Sequence, residues 1–79
     1  MDNYEKYQRI FMEIFGVQAS DLTSDFTFEK SDLWDSMSHM ALISKLEEQF
    51  DIMLDTQDIL EYGSFDNGIE ILKKYGVKF

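Results

Sequence analysis

The chain has 79 residues, enough for one compact domain over residues 1–79 and too little mass for a deep, enclosed active-site cleft. Sixteen Asp and Glu against seven Lys and Arg give a net charge of −9, which disfavours nucleic acid and anionic membrane surfaces as partners and favours basic patches on proteins. The absence of cysteine excludes disulfides and thiolate metal sites, and with no signal-peptide pattern and no bilayer-length apolar run we expect a cytoplasmic protein.

The first predicted element is an amphipathic helix over residues 3–15, followed by a glycine that favours a helix end. Apolar residues recur at spacings of three and four, and charged residues lie between them. The side chains expected to face the core are Tyr4, Tyr7, Ile10, Phe11 and Ile14.

Residues 17–34 form a long connection that is rich in Ser, Thr and Asp and has no clean period. A connection of this length in a small domain is unusual unless it is functional. Phe26 and Phe28 are the candidates for anchoring it to the core. Trp34 is interpreted mainly as a packing residue that pins the loop, with a role in partner choice as the alternative.

The second helix is predicted from Asp35 or Ser36 to about Phe50. Asp35 is a good N-cap, because its carboxylate can accept from the backbone amide of Met37 or Ser38. The predicted core stripe consists of Met40, Leu42, Ile43, Leu46 and Phe50.

A short third helix is predicted from Asp55 or Thr56 to Glu61, and a fourth from Ser64 to Tyr75. Phe65, Ile69 and Leu72 form the expected core stripe of the fourth helix. Gly68 within that helix costs about 1 kcal/mol relative to Ala and marks a close packing contact. The predicted fold class is all-α: a small four-helix bundle, with three main helices, one short helix and a long loop between the first two.

Ser36 is the candidate for chemistry, because it stands where the long loop enters the second helix. A serine in the first helical turn is accessible and lies near unpaired backbone amides, where a phosphodiester is favoured by about 0.3–1 kcal/mol. On these two residues alone, however, an ordinary helix start is the better explanation of Asp35-Ser36, because capping pairs are common.

The segment from Asp35 to Ile52, with the sequence DSMSHMALISKLEEQFDI, resembles the second helix of acyl carrier proteins. The order of elements along the rest of the chain is also similar to that family. The resemblance implies a 4'-phosphopantetheine arm, transferred from coenzyme A to Ser36 by a phosphopantetheinyl transferase. It further implies that Asp35 helps to dock the transferase and its metal, and that Met37 is an apolar contact that partners read.

A carrier of this kind holds acyl or aminoacyl groups as thioesters and catalyses nothing itself. Its implied partners are an acyl or aminoacyl ligase, a synthase or an acyltransferase of lipid, polyketide or specialised biosynthesis, and a monomer is expected. The predicted partner-binding residues are Asp35, Met37, Met40, Glu47 and Glu48.

Three positions depart from the pattern of fatty-acid carriers. Leu33 replaces a common glycine, and Ser38 and Ala41 replace common acids, which indicates a pathway other than bulk fatty-acid synthesis. Leu33-x-Asp-Ser and the run from Phe50 to Ile52 are similar to D-alanine carrier proteins, which modify cell-envelope polymers. A D-alanine carrier is therefore the alternative.

Three further classes of protein are alternatives to a carrier. A hydrolase built from Ser36, His39 and a carboxylate would need a base bonded to the nucleophile, an orienting acid and an oxyanion hole. No Gly-rich strand-to-helix elbow surrounds the serine, and His39 is interpreted as a surface residue. A calcium loop from Asp21 to Asp32 lacks the required glycine at Phe26 and the terminal Glu, so no metal is expected. The third is a non-carrier helical interaction module, with which the five methionines are compatible.

Overall fold

A computed structural model describes residues 2–79, so Met1 of the expected domain lies outside the described residues. It confirms the predicted all-α architecture. The helices are α1 (Asn3–Phe15), α2 (Ser36–Phe50), α3 (Thr56–Glu61) and α4 (Phe65–Lys74), with a single 3-10 turn at Ala19–Asp21. Residues 2–79 contain no strand, and an isolated antiparallel bridge pairs Thr27 with Ser64. Within the same residues, no helix combines the length and apolarity needed to cross a membrane.

Local capping chemistry explains where the helices begin and end. The Asp35 carboxylate accepts from the Ser38 amide, one of the two predicted partners, and the Ser64 hydroxyl accepts from the Asn67 amide. Gly16 ends α1 in the left-handed conformation at φ 65°, which glycine adopts without steric cost. Only α4 differs slightly from its prediction, because it begins and ends one residue further in.

The core is built around an aromatic cluster with Phe11 at its centre. The Phe11 ring lies 5.0 Å from the ring of Phe65 and 5.6 Å from that of Trp34, both in edge-to-face geometry. Aliphatic side chains from α2 complete the core; those buried are Leu42, Ile43 and Leu46. The single cluster joins all four helices to the long loop.

The long loop is fixed at several points. Phe26 and Trp34 are buried in the core, which confirms the anchoring prediction for Phe26 and the packing interpretation of Trp34. The loop also pairs with the segment before α4: Phe28 N–H donates to the Gly63 carbonyl at 2.8 Å, and Phe65 N–H donates to the Phe26 carbonyl at 3.0 Å. The end of the loop, and with it the start of α2, is therefore held by both core and backbone contacts.

Six predictions about buried side chains were wrong or incomplete. Met40 is 52% exposed, and Phe28 and Tyr4 are also exposed instead of buried. Three others are only partly buried: Ile14, Phe50 and Ile69. In α1, Phe15 takes the expected core position. For the helical residues the physical reason is rotation of the helix, because periodicity alone places an apolar stripe only to within about one residue.

A buried pair of tyrosines links α1 to the segment after α3. The Tyr62 hydroxyl donates to the Tyr7 hydroxyl at 2.8 Å, and the Tyr7 hydroxyl donates to the Phe65 carbonyl at 2.7 Å. Burial raises the pKa of both tyrosines far above the ordinary value. A Cβ on Gly68 would collide with both hydroxyls, which confirms the close packing contact predicted for this glycine.

The short helix α3 is attached to the end of α4 by a polar cluster. The Asp58 side chain is 5% exposed and accepts from Lys74 Nζ at 2.6 Å and from the Tyr75 hydroxyl. The Lys74 and Tyr75 hydrogen bonds hold the pKa of Asp58 below its ordinary value. Tyr75 also accepts from the Asp55 amide at 3.0 Å, so the cluster fixes the N-terminus of α3 as well.

Candidate functional site

Ser36 is the first residue of α2, and its side chain is exposed. It stands at the positive end of a 15-residue helix, where the first backbone amides have no partner within the helix. The loop contacts at Phe26 and Trp34 hold this end of α2 against the bundle. The fold therefore exposes the hydroxyl to solvent while fixing the start of α2.

Asp35 and Ser38 form a reciprocal capping box around this position. The Asp35 amide donates to the Ser38 hydroxyl at 2.8 Å, and Asp35 Oδ1 accepts from the Ser38 amide at 2.9 Å. The Ser38 amide and hydroxyl hold the pKa of the Asp35 carboxyl below its ordinary value. Ser38, which replaces an acid of the fatty-acid carriers, thus has a structural role here.

A groove with a volume of about 740 Å³ opens beside Ser36. Residues of the long loop form one side, and residues of α3 and of the turn before α4 form the other. Its lining residues are Thr27, Phe28, Glu29, Lys30, Ser36, His39, Met40, Ile59, Leu60, Tyr62, Gly63, Ser64 and Asn67. The volume lies within the range of small-molecule binding sites.

His39 is not the surface residue that the sequence suggested. Trp34 Nε1–H donates to His39 Nδ1 at 3.0 Å, so the ring proton lies on Nε2, which donates to the Ile59 carbonyl at 2.8 Å. The partly buried ring therefore bridges the loop, α2 and α3. Because both ring nitrogens are engaged, neither serves as a base for Ser36, a further argument against the hydrolase alternative.

Several apolar side chains near Ser36 are exposed to solvent. Met37 is 83% exposed and Met40 is 52% exposed, and Leu33 and Leu60 are exposed beside them. Leu60 was missed in the sequence. The sequence feature that could have identified it is the pair Ile59-Leu60, since two adjacent residues of a short surface helix cannot both face the core.

The two predicted acidic partner residues lie elsewhere on α2. Glu47 is eleven residues beyond Ser36, about 16 Å along the helix axis. Its Oε2 accepts from the Leu54 amide at 2.9 Å, so this carboxylate shapes the turn after α2. Glu48 is exposed. The structure thus groups Asp35, Met37 and Met40 around Ser36 and separates both glutamates from them.

The acids of the long loop take part in local contacts. Asp21 accepts from the Gln18 amide, and Asp25 pairs with Lys30 at 3.1 Å. Among the side chains of residues 2–79, no group of three or more His, Asp or Glu is arranged to hold a metal ion.

Comparison with known proteins assigns the family. The model of the phosphopantetheine attachment site matches residues 8–67, a span that contains α2, the groove residues and most of the core. The chain therefore belongs to the acyl carrier protein family, the small proteins that bear a phosphopantetheine arm.

Named relatives agree with this assignment. The chain is 36% identical over 58 residues to an acyl carrier protein of Streptococcus pneumoniae serotype 4, covering 73% of this chain and 77% of that protein. It is 34% identical over 55 residues to an acyl carrier protein of Streptococcus thermophilus, covering 70% and 73%. An acyl carrier protein of Streptococcus pyogenes serotype M1 matches equally well. No solved structure gave a significant match.

Family membership implies a covalently attached 4'-phosphopantetheine. The residues present fit such a group: the chain offers an exposed serine hydroxyl at a helix N-terminus, an environment that favours a phosphodiester, and a groove beside it. Members of the family are carriers and not catalysts, in keeping with the non-enzymatic interpretation of this chain.

Proposed function

We propose that Ser36 is the attachment site of the phosphopantetheine arm and that the protein presents acyl groups to partner enzymes. The observation that carries the proposal is the exposed Asp35-Ser36 pair at the start of α2, within the region that matches the phosphopantetheine attachment site. When bound, the arm supplies a terminal thiol that holds the cargo as a thioester. The names of the relatives, all acyl carrier proteins, favour acyl over aminoacyl cargo.

Asp35 supports this proposal through its local chemistry. One of its carboxylate oxygens, Oδ1, is committed to the Ser38 amide, and the depressed pKa keeps the group ionised. The other oxygen, Oδ2, remains for the metal of a phosphopantetheinyl transferase. An anionic oxygen next to the nucleophile suits a hard divalent cation.

The surface near Ser36 also bears on the choice of partners. We propose that Met37 and Met40 are the contacts that the transferase and a ligase, synthase or acyltransferase read first, since both are exposed beside the serine. Farther along α2, Glu48 and the exposed part of Glu47 would contact basic groups of partner proteins. The cytoplasmic location and the monomeric state expected from the sequence belong to this proposal.

The test is modification by a broad-specificity phosphopantetheinyl transferase with coenzyme A and Mg²⁺. The intact chain gains about 340 Da by mass spectrometry, the mass of one arm. Ser36→Ala abolishes the gain. Ser44→Ala, which changes another exposed serine on α2, is the matched control and is modified as fully as the original chain. An unmodified original chain, or a modified Ser36→Ala variant, contradicts the proposal.

A further inference from the structure

We infer that a cleft between α1 and α2 is an anion site that binds one phosphate-type group through Lys6, Arg9 and Lys45. The cleft has a volume of about 210 Å³ and shares no lining residue with the groove beside Ser36. The inference therefore goes beyond the proposed function and does not depend on attachment of an arm. The residues that line the cleft are Lys6, Arg9, Ile10, Glu13, Lys45 and Gln49.

The cations of the cleft come from two helices. Lys6, Arg9 and Glu13 recur at spacings of three and four on α1, so they lie along one face. Lys45 lines the cleft from α2. Ile10, which is buried, gives the cleft an apolar base. Because the volume is below the roughly 300–1,000 Å³ of sites for drug-sized ligands, the cleft suits a single small group.

The charge of the cleft is opposite in sign to that of the whole protein. Its lining has three cations and one carboxylate, that of Glu13, which gives a local charge of +2. The chain as a whole carries −9, and three of its seven Lys and Arg line this one cleft. Since the acidic surface elsewhere repels anions, an anion that binds to this protein is expected to bind here.

Lys6 is held in place by its neighbours. Its Nζ donates to the Gln49 carbonyl at 3.2 Å, near the negative end of α2, and lies 5.1 Å from the centre of the Phe50 ring. Neither contact involves a carboxylate. The ammonium group therefore has a fixed position in the cleft and keeps its charge.

Arg9 and Lys45 are available to a ligand. Neither belongs to an ion pair within the part of the chain that the structure describes. Glu13 follows Arg9 by four residues on α1, the spacing of a helical ion pair, yet these two side chains are not paired. Because Arg9 is exposed and Lys45 is half-buried, an anion can approach both from solvent.

The three cationic side chains favour a phosphate over a carboxylate. A guanidinium group has a planar fork that binds two phosphate oxygens at once, and each ammonium group adds a point charge. A phosphate monoester carries about −1.5 to −2 at pH 7 and has three acceptor oxygens, which matches a lining charge of +2. A carboxylate has a single charge and only two oxygens. The ligand is free phosphate or the phosphate group of a nucleotide, since the two share this chemistry.

The experiment is a titration of the intact chain with sodium phosphate at pH 7, followed by the amide chemical shifts in NMR spectra. NaCl keeps the ionic strength constant, so that screening over the whole molecule does not change. We expect saturable shifts at residues 6–13 of α1 and 45–50 of α2, and none around Ser36. Shifts that grow linearly with phosphate, or that spread evenly over the molecule, overturn the inference.

Variants assign the site to its side chains. Arg9→Gln and Lys45→Gln each weaken phosphate binding about two- to fivefold, the effect of losing one exposed ion pair. Glu13→Gln strengthens binding by a similar factor, because it removes the one carboxylate among the lining residues. Lys73→Gln, which removes an exposed lysine of α4, is the matched control and leaves binding unchanged.

Unchanged binding in Arg9→Gln and Lys45→Gln, or an equal loss in Lys73→Gln, contradicts the assignment. Should a variant of either cation fail to fold, Glu13→Gln still decides, because Glu13 is exposed and its replacement is expected to strengthen binding.

Further ligands identify the source of the phosphate group. Adenosine 3',5'-bisphosphate, the nucleotide part of coenzyme A, and acetate are titrated under the same conditions. Tighter binding of the nucleotide than of inorganic phosphate indicates a nucleotide as the source, and equal or weaker binding indicates free phosphate. Acetate is expected to bind more weakly than phosphate, and equally tight binding of acetate would show that the assignment to phosphate is wrong. Ser36→Ala binds phosphate like the original chain, so this result is separate from the outcome for the proposed function.

Discussion

At the scale of single residues, Gly68 is the glycine that leaves no room for a side chain. This glycine lies inside α4 and is buried, and both hydroxyls of the Tyr7–Tyr62 pair occupy the space that a Cβ would need. Helix propensity alone would favour alanine here by about 1 kcal/mol. Close contact with the tyrosines reverses that preference.

Gly68→Ala is therefore expected to destabilise the protein by about 1–3 kcal/mol, the usual cost of overpacking a core. The free energy of unfolding from urea titration measures it. Equal or higher stability of the variant would show that the two tyrosines move aside without loss.

Tyr62→Phe supplies the control, because it removes one of the two hydroxyls in the way. By itself, Tyr62→Phe removes one hydrogen bond, which is expected to lower the free energy of unfolding by about 1 kcal/mol. Combined with Gly68→Ala, it relieves part of the collision, so the double variant is less destabilised than the sum of the single ones. Strict additivity would exclude a direct contact between the two positions.

At the scale of elements, the stability of α3 depends on its polar contacts with neighbouring elements, because the helix itself is very short. A helix of six residues is too short to be stable in isolation, so its position is set by the Asp58 contacts with Lys74 and Tyr75 and by the His39 contact with Ile59. Because Ile59 and Leu60 line the groove, these contacts also shape the candidate site.

The Asp58 attachment predicts a specific dependence on pH. The pKa of this carboxyl is depressed in the folded state, so its contribution to stability is complete above the unfolded value of about 3.9 and is lost as the pH falls through the folded pKa. Melting temperatures of the original chain and of Asp58→Asn are compared between pH 7 and pH 2. The original chain is the more stable at pH 7, and the difference shrinks below about pH 4.

Asp66→Asn is the matched control, since Asp66 is an exposed acid of α4 outside this cluster. A difference between the original chain and Asp58→Asn that stays constant over the whole pH range would show that the charge of Asp58 contributes nothing.

At the scale of the whole molecule, the charge is the dominant feature. A net charge of −9 is carried by a molecule with a radius of gyration of 11.4 Å, so most charges repel one another over distances near the Debye length of about 10 Å at 0.1 M salt. The three ion pairs found within residues 2–79 offset little of this, because two of them are exposed. Self-repulsion opposes the compact state.

Added salt is therefore expected to stabilise the protein. The melting temperature, followed by circular dichroism, rises by a few degrees between about 0.01 M and 0.3 M NaCl as screening weakens the repulsion. A fall in melting temperature on adding salt would mean that attractive ion pairs outweigh the repulsion between like charges.

A variant with four exposed acids neutralised tests the cause. The changes are Glu13→Gln, Glu29→Gln, Asp32→Asn and Glu48→Gln, which bring the net charge from −9 to −5. This variant gains less from salt than the original chain. An equal or larger gain would point to specific ion binding instead of screening.

Much of the fold was predictable from the sequence because it depends on local chemistry. Asp35 and Ser64 were identified as N-caps and Gly16 as a helix end, since caps act within three or four residues. The position of Ser36 at the start of α2 followed directly. Its assignment as an attachment site came from resemblance, because an Asp-Ser pair by itself is also an ordinary helix start.

What the sequence by itself determined is the family, the order and bounds of the helices, and the exposed serine at the head of α2. Only the tertiary structure decided that Met40 faces out, that His39 bridges the loop to α3, and that a groove opens beside Ser36. The reason is physical. Caps and periodicity act within a turn or two of the chain, whereas rotation of a helix and pairing of buried polar atoms depend on residues far apart in the sequence, 55 positions for Tyr7 and Tyr62 and 58 for Tyr7 and Phe65.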